Sequence, residues 1–179
     1  MKTIPKPTIL AISGSLRTNS SNNAVIRAAA ALAADNADVI IYESMGTLPH
    51  FDDSSTPAQP VIDLRNALRN ADGILISSPE YAFGVPGVLK NLLDWTVSSG
   101  EFVGKPVALI TAATGGSNAH SSLLLTLGAI SAVIPEGGAI VLPFIRSKLN
   151  ENGDVADMET KEKIKSVMDM LVAAIAAAK

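Results

Sequence analysis

The chain has 179 residues, 47% hydrophobic and 17% charged, which suits one globular domain with a full core and excludes a disordered chain. A net charge of −3 gives no electrostatic footprint for nucleic acid and no polybasic patch for anionic lipid. No cysteine is present, so disulfides, thiolate nucleophiles and Cys-rich metal sites are excluded, and electron transfer would need a bound cofactor.

The N-terminal MKTIPKPT has charge but no apolar h-region, and no apolar run is long enough to span a membrane. A cytoplasmic protein is therefore expected. The first strand is expected at Thr8–Ile12, followed by a helix over Asn23–Ala34. Then come a strand at Asp38–Tyr42, a helix over Ala58–Asn70 and a strand at Gly73–Ser77. A helix over Pro86–Ser98, a strand at Val107–Thr111, a helix over Ala119–Ala129 and a strand at Ala139–Leu142 follow. The last helix, Thr160–Ala178, places Ile164, Val167, Met168, Leu171, Val172 and Ile175 on one face. The strands are continuously apolar, as in a parallel sheet covered on both faces. Five βα units predict an α/β fold of flavodoxin-like type, a three-layer sandwich with strand order 2-1-3-4-5, as one domain over residues 1–179. Ligands in such folds bind outside the carboxyl ends of the strands, so the loops after strands one, three and four come first.

After strand one the chain reads Ser13-Gly14-Ser15-Leu16-Arg17-Thr18-Asn19-Ser20-Ser21-Asn22-Asn23. Nearly every residue carries a hydrogen-bond donor, and the segment opens a helix whose N-terminus favours an anion. Hydroxyls around an arginine suit a terminal phosphate with three exposed oxygens. One glycine is too few for the dinucleotide fingerprint. Gly100 to Lys105 has the wrong spacing for a nucleotide P-loop and runs into Pro106. Simple helix capping by Ser20 to Asn23 is the plainer alternative.

After strand three, Pro79, Gly84 and Pro86 stiffen an irregular loop that can present backbone groups to the edge of a flat heterocycle. After strand four, Thr114-Gly115-Gly116-Ser117 allows close backbone approach, and Ser117 or Asn118 can cap the next helix. His50 and His120, the only histidines, have no partner at metal-ligand spacing, so a solvated or capping role is expected for both. Asp52 and Asp53 read as a solvated turn. On the helix over Val85–Val97, the apolar side chains cover roughly 200° of the wheel. Part of that arc, Trp95 included, is therefore expected against another subunit, with burial under the chain's own loops as the alternative.

The segments GSLRTNSSN (14–22) and SPEYAFGVPGVLKNLLDW (78–95) resemble the NADPH-dependent FMN reductase family, which includes quinone, chromate and azo-dye reductases. The resemblance implies that Ser15, Arg17, Ser20, Ser21 and Asn22 hold the FMN phosphate. It implies that Pro79, Glu80, Tyr81, Ala82 and Phe83 line the isoalloxazine ring, and that Thr114 to Ser117 flank it. It further implies a ping-pong reaction, from NADPH or NADH to FMN and then to a quinone, flavin, azo or metal-ion acceptor, without a catalytic side chain. A homodimer or homotetramer is implied as well. Ala82 stands where the family usually has Asn. A flavodoxin-type electron carrier and a non-enzymatic flavin-binding domain are the rival readings.

Overall fold

A computed structural model describes residues 5–178, so the first four residues of the N-terminal stretch lie outside it. Five parallel strands, β1 (Thr8–Ser13), β2 (Asp38–Tyr42), β3 (Gly73–Ser78), β4 (Val107–Ala113) and β5 (Ala139–Pro143), form one sheet. Its order is β2-β1-β3-β4-β5, the order expected for this fold. Helices α1 (Ser21–Ala33), α2 (Gln59–Asn70), α3 (Gly87–Asp94), α4 (Ser117–Ala129) and α5 (Met158–Ala177) make the crossovers and the C-terminal cover.

Alternation along the central strands divides the core. Ile9 and Ala11 of β1, Leu75 of β3 and Ile110 of β4 face α1 and α5. Their neighbours Leu10, Ile12, Ile76 and Leu109 face α2, α3 and α4. The alanine-rich face of α1, with Ala24, Ala29 and Ala33 buried, lets that helix lie close to the sheet. Only the inner strands are covered on both sides. At the β2 edge Ile40 and Ile41 remain exposed, so the two-sided cover expected from their apolar run does not reach that edge.

Helix α3 ends at Asp94, four residues earlier than expected. The next carbonyl, that of Trp95, is taken by the Arg65 guanidinium (3.2 and 2.8 Å), and the Thr96 hydroxyl donates to Leu93 O at 2.7 Å. Such side-chain bonds compete with helix propagation. Trp95 follows the alternative given for it, burial under the chain's own loops. It is 2% exposed, donates from Nε1 to Pro49 O at 2.9 Å, and meets the Phe51 ring edge-on with centroids 5.1 Å apart. The chain's own loop before α2 covers it.

Candidate functional site

At the carboxyl edge of the sheet, β1, β3, β4 and β5 release the chain around one cavity of about 350 Å³. Its first wall comes from the β1–α1 loop. Gly14 lets this loop pass against the next one. Its N–H donates to Ser77 O at 2.7 Å, and a Cβ there would lie 3.1 Å from Ser78 Oγ and 3.2 Å from Pro79 Cδ. Ser20 caps α1, its Oγ accepting the Asn22 N–H at 3.2 Å. The N–H groups of Ser21 and Asn23 are left without an intrahelical acceptor, at the positive end of the helix dipole. Arg17 lines the cavity, and among the described residues its guanidinium has no hydrogen bond or ion pair.

Asn22 lines the cavity and also ties its wall to the sheet. Its side chain is buried, with Nδ2 donating to Ala112 O at 3.1 Å and Oδ1 accepting from Ser77 Oγ at 2.8 Å. The amide is spent pinning α1 to β3 and β4. Ser15 is also buried, its Oγ accepting the Arg17 N–H at 3.3 Å, and it lines a separate cavity with Leu16, Asn23 and Tyr42 instead of this one.

The loop after β3 brings Pro79, Glu80 and Tyr81 to the cavity. Glu80 reaches across to the next loop, where its carboxylate accepts the N–H of Ala119 at 2.8 Å and of Gly116 at 3.4 Å. This carboxylate caps α4, a role expected of Ser117 or Asn118. Gly116 at the N-cap stands at φ 109°, which aims those N–H groups at Glu80 and which side chains resist. Ala82 and Phe83 form the tip of a tight turn closed by two bonds between Tyr81 and Gly84 (3.1 and 2.9 Å). Both have positive φ, 48° and 61°, and both lie outside the cavity, with Phe83 79% exposed.

At the end of β4, Ala112 and Ala113 line the cavity together with Thr114 just beyond it, whereas Gly115, Gly116 and Ser117 do not. The expected solvated or capping role for His120 is replaced by a bond between Nδ1 and the buried Thr111 Oγ1 at 2.9 Å. Burial holds this imidazole below its ordinary pKa. The remaining wall lies outside the three loops that the sequence motifs mark. Phe144, Ile145, Arg146 and Ser147 follow β5 and close the far side. The signal was present, since an arginine and a serine just past a strand's carboxyl end satisfy the rule applied to the other three loops.

Eight expected residues thus share one cavity: Arg17, Ser20, Ser21, Asn22, Pro79, Glu80, Tyr81 and Thr114. An unpaired guanidinium beside an open helix N-terminus accommodates a phosphate, and the cleft beyond it has room for an attached ring system. The donor set fits FMN.

The sequence model for NADPH-dependent FMN reductases matches residues 7–146. A 2-hydroxy-1,4-benzoquinone reductase of a Burkholderia species is 30% identical over 173 residues, covering 92% of this chain and 94% of its own. A quinone reductase of Escherichia coli K12 is 29% identical over 167 residues, 87% and 88% of the two chains. Among solved structures, the flavoenzyme NAD(P)H:acceptor oxidoreductase FerB of Paracoccus denitrificans superposes with a TM-score of 0.77 at 24% identity. That superposition covers 96% of this chain and 98% of FerB, and shows the shared fold. With its sheet order, its cavity and its two sequence motifs in agreement, the chain belongs to the NADPH-dependent FMN reductase family.

Proposed function

We propose that the protein is an NAD(P)H-dependent quinone or flavin reductase whose FMN sits in the cavity at the carboxyl edge of the sheet. The unpaired Arg17 guanidinium beside the open N-terminus of α1 carries this reading. Bound FMN would supply the two-electron redox chemistry between NAD(P)H and a small acceptor.

The chain's own residues bind, orient and stiffen. Arg17 and the first N–H groups of α1 neutralise the phosphate. Ser20 orders that turn, and Asn22 ties it to the strands beneath. Pro79 to Tyr81 and Ala112 to Thr114 provide the backbone walls for the ring. Glu80 braces those walls together, so the ring meets a preorganised cleft. Ser15, Gly115, Gly116 and Ser117 support the walls from neighbouring positions in the chain.

Phe83, outside the cavity and nearly bare, is the natural centre of a contact between subunits in a homodimer or homotetramer. Among the described residues no helix is long and apolar enough to cross a membrane, and a cytoplasmic location fits the cysteine-free composition. The test is spectroscopic. Purified protein mixed with FMN, then with NADPH under anaerobic conditions, should bind the flavin and bleach its visible band. A protein that leaves FMN free, or binds it without bleaching, would end this reading.

A further inference from the structure

The segment after β5 closes the far side of the cavity, and the flavin contacts proposed above do not draw on it. Phe144 lines the cavity and is 63% exposed, and its backbone stands at φ 54°. That left-handed conformation is uncommon for a bulky residue and persists only where neighbours enforce it. Here they do: the Phe144 N–H donates to Thr114 O at 3.3 Å, and its carbonyl accepts the N–H and the hydroxyl of Ser147 at 3.0 and 2.8 Å. The turn holds an aromatic ring out at the cleft where burial would ordinarily take it in.

Two residues on, Arg146 lines the same cavity, and among the described residues its guanidinium also lacks a hydrogen bond or ion pair. It follows β5, three strand positions from β1, so its backbone starts roughly 14 Å across the sheet from the Arg17 loop. One phosphate at the mouth of α1 accounts for one of these cations. The second lines the same cavity, two residues from the exposed Phe144.

We propose that Phe144 and Arg146 form the subsite for the phosphorylated adenosine end of the reduced pyridine dinucleotide. Phe144 offers its face to the base, and Arg146 makes a charge-assisted contact to a phosphate. The proposal rests on the reductase reading above, because that reaction brings the dinucleotide to this cavity. It adds what the flavin site lacks, a place for the part of the donor that does not react. Binding energy from such a remote group orients the reacting end.

The probe is adenosine 2′,5′-bisphosphate, which carries the base and phosphates without nicotinamide, titrated calorimetrically into FMN-loaded protein. Arg146→Ala should weaken it roughly tenfold or more, the loss of a charge-assisted bond. The same variant should raise KM for NADPH by a similar factor, with kcat and FMN affinity little changed. Phe144→Asn, which removes the ring yet tolerates positive φ, should also weaken the probe. A rise in KM confined to NADPH assigns Arg146 to the 2′-phosphate, and an equal rise for NADH assigns it to the pyrophosphate. Unchanged probe affinity and KM in Arg146→Ala would overturn the subsite, as would a loss of FMN affinity in their place. Should the wild-type protein take up no FMN, the reductase reading fails first, and titration of the probe into apoprotein still decides the subsite.

Discussion

The Glu80 carboxylate accepts the backbone N–H of Ala119 at 2.8 Å, so a residue from the loop after β3 caps the helix that follows β4. The charge sits at the positive end of α4 and clamps two walls of the cavity together. Glu80→Ala should cost about 1–2 kcal/mol, the range for losing an N-terminal cap. Glu80→Gln, which retains an acceptor oxygen without the charge, should cost less. Urea unfolding of the apoprotein measures both, and FMN titration should show weaker binding in the same order. Equal stability in all three proteins would mean that the clamp contributes nothing.

Ala82 occupies a position whose backbone, at φ 48°, suits Asn or Gly. With Phe83 at 61°, the tip has the two positive φ values of a type I′ turn, built here without either favoured residue. The Asn usual in the family at this point therefore has a backbone reason as well as a side-chain one. Ala82→Asn should raise stability by about 0.5–1 kcal/mol, read as an upward shift in the urea midpoint. A lower midpoint would show that the turn is set by other contacts.

Gly14 sits where two loops touch, and a methyl group there would press on Ser78 Oγ, Leu89 Cδ2 and Pro79 Cδ at 3.1–3.2 Å. Gly14→Ala should destabilise the fold by about 1–3 kcal/mol, the usual cost of overpacking. It should also weaken FMN binding, because the displaced loop carries Arg17. Wild-type affinity combined with wild-type stability would contradict the close approach.

Burial holds His120 below the ordinary value of 6.5, so the unfolded chain takes up this proton first as pH falls. Its contribution to stability is therefore full above about pH 6.5 and declines as the pH drops below that value, until the folded form is protonated too. His120→Gln should flatten this part of the stability profile. Melting temperatures at pH 7.5 and 5.5 test it, and an unchanged slope in the variant would assign the effect to other groups.

The layered fold was legible because apolar runs of strand length alternate with helical patterns, and a parallel α/β sheet admits few topologies. The cavity-lining loop after β1 was legible for a local reason, a row of donors opening a helix. Long-range partners were not. Asn22 reads as a ligand donor until Ala112 and Ser77 are seen to take its amide, and Glu80 reads as a ring neighbour until α4 appears above it. The width of the α3 stripe suggested a partner subunit, because nothing local shows that the Pro49–Phe51 loop folds over Trp95. Phe144 and Arg146 stand just past β5, where the strand-end rule reaches them, but no run of donors or stiffening prolines marks that loop as it marks the others.

The central claim is that the mouth of α1 and Arg17 hold a flavin phosphate. Titrating apoprotein with FMN, wild type against Arg17→Ala, tests it most directly. Loss of a charge-assisted contact of about 1.5–3 kcal/mol predicts an affinity lower by roughly 10- to 150-fold in the variant, with riboflavin, which has no phosphate, binding both proteins equally. Equal FMN affinity in the two proteins would contradict the account.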